Sequence, residues 1–417
     1  MSEKRAVDKN GFLCSLSPKK NAYNIFLLSV AISAIIYAII YLILGNGRFS
    51  DVFFIRCADF FMDFFNSIRD ASQGSAVYTE RGVIYPPMAN LIYLALSRFT
   101  PSSYNDTAFD ERYSWTAYFA PMMLVVLFAC ACAIVFFFIV YCANKTGTRI
   151  SRFLFAFFAF FSVPVLYLVE RGNIIMLSLI ALMIYAFTYY SESRVKREIG
   201  LIALAFAFSI KLYPVVFGWL LISDKRYKDA IRCALYGLAM LVIPSFFFGG
   251  LTCFYQVFLN IFDFSTGSGS TLSVIMNFIK IPDIGQSIIS LLVWAWVLIC
   301  GTCFAFSAFI RPEKAYKTWA LGLVTICCVP SLTSIYSWAF FIIPLIMLFN
   351  KQCGYARRDL TYMIMMTIPF VFLPFRITFH VSPNTVLIYV MTAVLSVFCV
   401  IDMLLDLKEY RINKKNA

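Results

Sequence analysis

Two carboxylates stand four residues apart in the unusually apolar stretch DVFFIRCADFFMDFFNSIRD, which covers residues 51–70. On an α-helix, Asp59 and Asp63 lie one turn apart on the same face. Repulsion between the two charges, or partial burial, makes one carboxylate more basic, as a general base requires. Asp59 and Asp63 are therefore the candidate catalytic residues. The alternative for the same pattern is a polar helix face that simply contacts water.

Cations with possible roles in binding occur later in the chain. Lys211 falls where two short apolar segments meet in the sequence IKLYP, and an unpaired ammonium there is costly enough to indicate a function. Arg171 precedes another apolar segment, and Arg376 lies in a late outer loop. Because the guanidinium fork matches phosphate oxygens, these three cations are candidates for holding a phosphate group. An ion pair with Glu170 is the alternative for both Lys211 and Arg171.

The elements that carry these residues are predicted to be membrane helices. The chain has 417 residues, of which 61% are apolar and 14% are charged, whereas soluble domains have about 25% charged residues. Apolar runs of about 20 residues recur, which is the length that a bilayer span needs. They are too long and continuous for the strands of an outer-membrane barrel. The predicted class is an all-α polytopic membrane protein with about 12 (10–13) transmembrane helices. The predicted spans are 22–44, 117–143, 152–169, 173–190, 199–210, 214–223, 232–250, 286–309, 317–330, 337–350, 360–377 and 384–404.

The distribution of basic residues predicts the orientation of these spans. With the N-terminus inside, the inner segments carry most of the 35 basic residues, as the positive-inside rule requires. The net charge of +13 is then an insertion signal, and no nucleic-acid partner is expected. We expect a plasma (inner) membrane protein with both termini in the cytoplasm and its site on the outer face. The predicted organisation is a cytoplasmic tail 1–21, a single transmembrane domain 22–404 with an outer loop 45–116, and a cytoplasmic tail 405–417.

The outer loop 45–116 is predicted to contain two interfacial helices. In 51–70, the charged and amide residues Arg56, Asp59, Asp63, Asn66 and Asp70 share one narrow arc, opposite a phenylalanine-rich side. We expect the apolar side to lie on the bilayer and the acidic side to face a cleft. A second short helix is predicted at 88–97. The later outer segment 251–285, which contains STGSGSTLS, is predicted to be a linker or a mobile loop.

No metal or cofactor is expected. The thirteen cysteines lie mostly in apolar runs, where a thiol packs as a small hydrophobe. Cys300 and Cys303 form a CxxC inside a span without the further ligands that a zinc site needs. The sequence also has no glycine-rich phosphate loop that would indicate a nucleotide.

The first outer loop resembles that of glycosyltransferase family 87, a family of the GT-C superfamily. The residues that carry this resemblance are Asp59, Phe60, Tyr78, Tyr85, Pro86 and Pro87. Two later stretches, ERGNIIMLSLIALMIYAF (170–187) and FSIKLYPVVFGWLLISDKRYKDA (208–230), resemble family segments in the same order. They are carried by Arg171, Gly172 and Asn173 in the first and by Lys211, Tyr213 and Pro214 in the second.

A third stretch departs from the family pattern. PSLTSIYSWAFFIIPLIMLF (330–349) resembles the family's late outer Ser-Trp-x-His segment, but it contains no histidine. Tyr336, Ser337 and Trp338 occupy the region, so any role that the family gives to that histidine is not carried over. The only histidine, His380, lies in another outer loop and is expected to be a surface residue. The resemblance covers about residues 20–350.

The resemblance implies a GT-C enzyme that needs no cofactor. Its donor is a polyprenyl-phosphate hexose, often mannose, and its acceptor is a lipid-linked or surface glycan on the outer side of the membrane. It implies an inverting single displacement with Asp59 as the base. Asp63, on the same predicted helix face, is the nearest rival for that role. Besides the donor and the glycan or glycolipid acceptor, the expected partners are membrane lipids. The residues expected to bind substrate are Tyr85, Arg171, Asn173, Lys211, Tyr213 and Arg376.

Three other functions fit a polytopic chain. A transporter or flippase of lipid-linked glycans predicts internal repeats and charges at the midplane of several spans, and no clear repeat is found. A polymerase or ligase of such glycans is expected to concentrate its essential residues in a large late outer loop, whereas here the first outer loop is the largest. A non-catalytic partner of a polysaccharide assembly is disfavoured only by the acidic and basic candidate residues.

Overall fold

The computed structural model of the protein describes residues 17–44, 61–100, 119–266, 276, 280–311, 315–330, 332, 334–351, 356–373 and 383–416. Every regular element in these ranges is helical, so the predicted all-α class is confirmed. The α-helices are α1 Ser17–Leu44, α2 Met62–Ser72, α3 Ala76–Thr79, α4 Pro87–Ser97, α5 Phe119–Ala143, α6 Arg149–Phe160, α7 Val163–Arg171, α8 Ile175–Thr188, α9 Arg194–Ile210, α10 Trp219–Ser223, α11 Tyr227–Ser245, α12 Leu251–Thr266, α13 Asp283–Ile310, α14 Ala315–Cys328, α15 Ile342–Phe349, α16 Arg357–Thr367 and α17 Pro383–Asn416. The 3-10 helices are Tyr213–Gly218, Phe246–Phe248, Ile335–Phe341 and Ile368–Phe370.

Several of these helices have the length and composition of membrane spans. Four are long and apolar enough to cross a bilayer, namely Ala120–Ala143, Tyr227–Phe248, Asp283–Ile310 and Asn384–Lys414. Helices α6 and α7 make a fifth if this pair, which is bent by 53°, is taken as one span. Shorter apolar helices, such as α8 and α12, pack among them. The predicted total of about twelve transmembrane helices stays a prediction.

The predicted span 152–169 is broken in the structure. Helix α6 ends at Phe160, and α7 begins at Val163 with Pro164 in its first turn. Proline lacks an amide hydrogen and its ring crowds the preceding turn, so it fits the start of a new helix better than the middle of a continuous one. The bend brings the end of α7 against the outer loop, where the Phe61 amide donates to the Glu170 carbonyl at 2.8 Å.

A second break follows α9 and places Lys211 outside any helix. Helix α9 ends at Ile210, and Lys211 is extended, with φ −147° and ψ 126°. The 3-10 helix Tyr213–Gly218 then begins with Pro214 in its first turn. The region 199–223 is therefore broken at Lys211, between the separate segments 199–210 and 214–223 that the sequence predicted. Irregular backbone of this kind is tolerated in membrane proteins where it packs within the protein or lines a cavity.

Helix α2 contradicts one prediction about the outer loop. Its apolar residues Phe64, Phe65 and Ile68 are fully buried, and they pack with Tyr93 of α4 and Val125 of α5. The prediction that this side lies on the bilayer is therefore wrong for the described part of the helix, because other helices of the protein cover it. Residues 51–60, with Arg56 and Asp59, lie outside the described residues.

The segment after α11 is also more ordered than predicted. Residues 251–266 form helix α12 instead of a linker. Its Cys253 and Val257 form a small buried cluster with Phe248 and with Val77 and Tyr78 of α3. This packing holds α12 against the outer loop. Most of the Gly-Ser stretch that follows lies outside the described residues.

A buried network of charges joins four helices at the opposite end of the molecule. Asp402 and Asp406 of α17 accept hydrogen bonds from Arg311 at the end of α13, at 2.9 and 2.7 Å respectively. Lys317 of α14 donates to Asp402 at 2.8 Å, and Arg358 of α16 donates to Asp406 at 2.8 Å. The side chains of Arg311 and Asp402 are each only 1% exposed. Charges buried to this degree require such partners, so the network fixes how these four helices pack.

Candidate active site

A cavity of about 450 Å³ lies between the outer loop, the break after α9, and helices α12 and α13. This volume is within the range of small-molecule binding sites. One part of its wall is polar, and the residues there are Asp63, Tyr85, Asn173, Lys211, Tyr213 and Tyr336. The other part is apolar, and the residues there are Ile261, Phe264, Trp294, Val329 and Leu332. The cavity can therefore hold a ligand that has a polar part and an apolar part.

The structure brings most of the predicted site residues together. Of the eight candidates, five line the cavity: Asp63, Tyr85, Asn173, Lys211 and Tyr213. Arg171 adjoins them through its ion pair with Asp63. Asp59 and Arg376 lie outside the described residues, as does His380, so the predictions for these residues remain open.

Asp63 is held by the turn that follows α7. Arg171 Nη2 forms an ion pair with Asp63 Oδ1, and Asn173 Nδ2 donates to Oδ2 at 2.7 Å. Gly172, between these two partners, has φ +61°, and a Cβ added there would lie 2.8 Å from Phe64 Cβ. Only glycine permits both this left-handed conformation and this close approach of the turn to α2. In the Arg-Gly-Asn sequence, the glycine therefore allows the turn, and the arginine and asparagine contact the Asp63 carboxylate.

Asn173 connects three parts of the site with one amide. Its Oδ1 accepts from the Ile175 amide at 2.9 Å at the start of α8. This contact requires Nδ2, the donor end, to face Asp63 and the Tyr85 hydroxyl, which lies at 3.0 Å. The orientation of the carboxylate and that of the tyrosine are therefore fixed together.

Lys211 lies over the ring of Tyr85. Its Nζ is 4.5 Å from the ring centroid, which is the geometry of a cation–π contact. Burial lowers the pKa of Lys211 to about 8, and the nearby charge of Asp63 opposes that decrease. The ammonium is therefore charged at neutral pH and loses its charge at moderately alkaline pH. Burial disfavours the charged form of Lys211, and an anion bound in the cavity would stabilise that form.

Two tyrosines complete the polar wall. The Tyr213 hydroxyl is buried and has no hydrogen-bond partner among the residues that the structure describes. A buried hydroxyl in this state is available to a ligand, since leaving it unsatisfied is costly. Tyr336 stacks on Tyr167 with ring centroids 6.1 Å apart. It was not predicted as a site residue, although it lies in the late segment where the expected histidine is missing.

The apolar wall was also missed by the sequence analysis. Ile261 and Phe264 belong to α12, which lies in the segment predicted to be a linker or a mobile loop. Trp294 belongs to α13, which was predicted as a span. In the described ranges, no group of three His, Cys, Asp or Glu residues could hold a metal ion. The described wall thus offers a carboxylate that can accept a proton, an ammonium that can hold an anion, and hydroxyl donors.

The sequence model of glycosyltransferase family 87 matches residues 84–334, which is more than half of the chain. The chain belongs to glycosyltransferase family 87. Family membership makes it a glycosyltransferase with a donor and an acceptor substrate. The matched range includes Tyr85, Asn173, Lys211 and Tyr213 and begins after Asp63. No curated protein and no solved structure matches the chain.

Proposed function

We propose that this family 87 protein transfers a hexose from a polyprenyl-phosphate sugar to a lipid-linked or surface glycan, with mannose as the first candidate sugar. The observation that carries the proposal is the two-part cavity. Its polar wall places a carboxylate, Asp63, and a half-buried ammonium, Lys211, in one cavity. Its apolar wall continues into helices with apolar outer faces. A ligand with a charged head and a long hydrocarbon chain matches both parts.

The apolar wall supports a lipid-linked donor. Phe264 and Trp294 line the cavity from α12 and α13. On the same two helices, Phe262 is 64% exposed and Leu291 is 71% exposed, as expected for side chains in contact with lipid. The hydrocarbon chain of the donor would pass from the cavity to the bilayer along these helices. Lys211 would then hold the phosphate, with Arg171 and Arg376 as further candidates.

The proposed reaction is a single displacement with inversion. The acceptor hydroxyl oxygen attacks the anomeric carbon as the bond from that carbon to the phosphate oxygen breaks. A carboxylate takes the hydroxyl proton, and polyprenyl phosphate leaves with one more negative charge on its terminal oxygen. The ammonium of Lys211 would stabilise that charge. Two carboxylates remain candidates for the base. The family resemblance favours Asp59, and the position in the cavity favours Asp63.

The direction of α9 supports a site on the outer face. This helix begins with Arg194, Lys196 and Arg197 and ends at Ile210, next to Lys211 in the cavity. Its 17 residues span about 25 Å, which is close to the thickness of the bilayer core. Since basic residues accumulate on the cytoplasmic side, the cavity would open near the outer side of the plasma membrane. Both termini would be cytoplasmic.

A donor panel tests this proposal. Purified protein is incubated with radiolabelled polyprenyl-phosphate mannose, glucose and galactose, with membrane lipid extract as the source of acceptor. We expect label to move from one of these donors with the unmodified protein and not with the double variant Asp59→Asn/Asp63→Asn, which lacks both candidate bases. The matched control is Asp70→Asn, because Asp70 is paired with Arg69 and does not line the cavity. Absence of transfer from every donor, with folded protein and a confirmed supply of acceptor, would contradict the proposed function.

The pKa of Lys211 predicts how donor binding depends on pH. The lysine carries its charge below its pKa and loses it above, so donor affinity is retained at pH 7 and falls as the pH rises through about 8. Arginine keeps its charge throughout this range, so Lys211→Arg should remove the alkaline decrease. The measurement is the KM for donor between pH 6.5 and 9.5. The same alkaline decrease in both proteins would mean that another group is titrating.

A further inference from the structure

The loop that precedes Tyr85 is held at both ends by buried side chains. Asn260 Nδ2, from α12, donates to the carbonyl oxygens of Tyr78 at 3.0 Å and Val83 at 3.2 Å. Gln256 Nε2 donates to Asn260 Oδ1 at 3.0 Å, which fixes the amide with its donor end toward the loop. Besides the apolar packing of α12 on Val77 and Tyr78, the amide of Asn260 therefore ties both ends of segment 78–83 to α12 by hydrogen bonds.

The second attachment is at Tyr85 itself. Its carbonyl oxygen accepts from the Tyr78 hydroxyl at 3.0 Å and from Asn90 Nδ2 at 3.3 Å. Asn90 Nδ2 also donates to the Tyr78 hydroxyl at 2.6 Å. Asn90 and Tyr78 are fully buried. We call the three residues Tyr78, Asn90 and Asn260 the clasp.

The clasp connects two neighbouring parts of the cavity wall. Ile84, Tyr85 and Pro86 line one part directly after the attached segment. Ile261, the residue after Asn260, and Phe264, one helical turn further, line the other. Tyr85 in turn lies under Lys211 and accepts from Asn173. A shift of the loop relative to α12 would therefore change the width of the cavity and the position of the tyrosine at once.

We propose that Asn90 and Asn260 are positioning residues that hold Tyr85 and the outer-loop wall at the distance from α12 that the donor requires. This inference rests on the proposed function. Neither asparagine lines the cavity, so each would act through Tyr85 and the loop and not by contact with the reacting atoms. If the clasp is lost, we expect the affinity for the donor to fall. The candidate base and the cations would keep their own contacts.

Buried carbonyl oxygens need hydrogen-bond donors in any fold, so a purely structural role for the clasp is the alternative. The two roles differ in what a substitution changes. A structural role lowers the stability of the protein and leaves the kinetics of the folded fraction unchanged. A positioning role raises the KM for donor in the folded protein and loosens the segment between Ala76 and Pro86.

The test compares Asn260→Leu with Asn144→Leu. Asn144 is a fully buried asparagine that bonds Tyr23 and Thr146 and does not line the cavity, so the same change there reports general destabilisation. We expect Asn260→Leu to raise the KM for donor about tenfold with a smaller change in kcat. We also expect faster hydrogen exchange in peptides that cover 76–86. Asn144→Leu should lower the melting temperature without either effect.

Milder variants keep the test decisive if Asn260→Leu does not fold. Asn260→Ser leaves room for water to reach the carbonyl oxygens, and Asn260→Gln retains an amide donor and should recover part of the affinity. An unchanged KM, or unchanged exchange over 76–86, in a folded variant would overturn the proposal. If the unmodified protein transfers no sugar, the proposed function fails, whereas the exchange measurement still decides whether the clasp holds the loop.

Discussion

Asp63→Asn is expected to lower kcat/KM for sugar transfer by a factor of at least about 100, the lower end of what a positioned general base contributes. Asparagine keeps the shape of the side chain but cannot take up the acceptor proton, and it removes the charge that Arg171 pairs with. Both carboxylate oxygens already accept a hydrogen bond, and each retains a lone pair for the acceptor hydroxyl. The measurement is initial-rate kinetics with the donor that the panel identifies.

The control for this prediction is again Asp70→Asn, which should retain the activity of the unmodified protein. Activity of Asp63→Asn within a few-fold of the unmodified value would exclude Asp63 from the chemistry and leave Asp59 as the candidate base. Large losses in both Asp59→Asn and Asp63→Asn require a further step to separate their roles.

That step is a double-mutant cycle with Arg171→Met. If Asp63 acts only by holding Arg171, the double variant loses no more activity than Arg171→Met alone. If Asp63 is the base, its replacement lowers kcat further, because the proton then has no acceptor. An Arg171→Met variant with unchanged activity would show that this ion pair is not used in catalysis.

Lys211→Met is expected to raise the KM for donor by about 10- to 100-fold, since a hydrogen bond to a charged group contributes about 1.5–3 kcal/mol. Methionine keeps a long unbranched side chain against the ring of Tyr85, so packing changes little while the charge is lost. The expected loss of affinity comes from the missing contact between Lys211 and the phosphate of the donor. It should therefore also appear as weaker inhibition by a short polyprenyl phosphate such as farnesyl phosphate.

The control is Lys228→Met, which removes a charge from an exposed lysine that does not line the cavity. It should leave KM and inhibition unchanged. If Lys211→Met binds farnesyl phosphate as tightly as the unmodified protein, the phosphate is held elsewhere. Arg376, which the sequence analysis also named as a candidate for holding the phosphate, would then be the next residue to replace.

The family resemblance drew attention to Arg171, Asn173 and Lys211, and local features of the chain explain how the structure holds them. The left-handed turn at residue 172 requires glycine, and this turn sets Arg171 and Asn173 on either side of the carboxylate. Lys211 precedes a proline that starts a new helical segment, so a break there could be expected from the residues alone. In each case, the conformational preference of one or two residues determines the geometry.

The parts that were missed depend on contacts between distant segments. Helix α12 is attached to the outer loop through Asn260 and Tyr78, which are separated by 182 residues. Tyr336 reaches the cavity only because its 3-10 helix packs between other helices. The burial of Phe64 under α4 and α5 could not be distinguished by periodicity from contact with lipid, because both environments are apolar.

The buried charge network has a consequence for how the chain is made. Arg311, Lys317 and Arg358 emerge from the ribosome before Asp402 and Asp406, which are carried by the last helix. Until that helix is synthesised, the three cations lack these two carboxylates, and a charge that is buried without its partner is costly. The charge network therefore forms only after the C-terminal helix has been synthesised, and a chain that ends before residue 402 cannot form it.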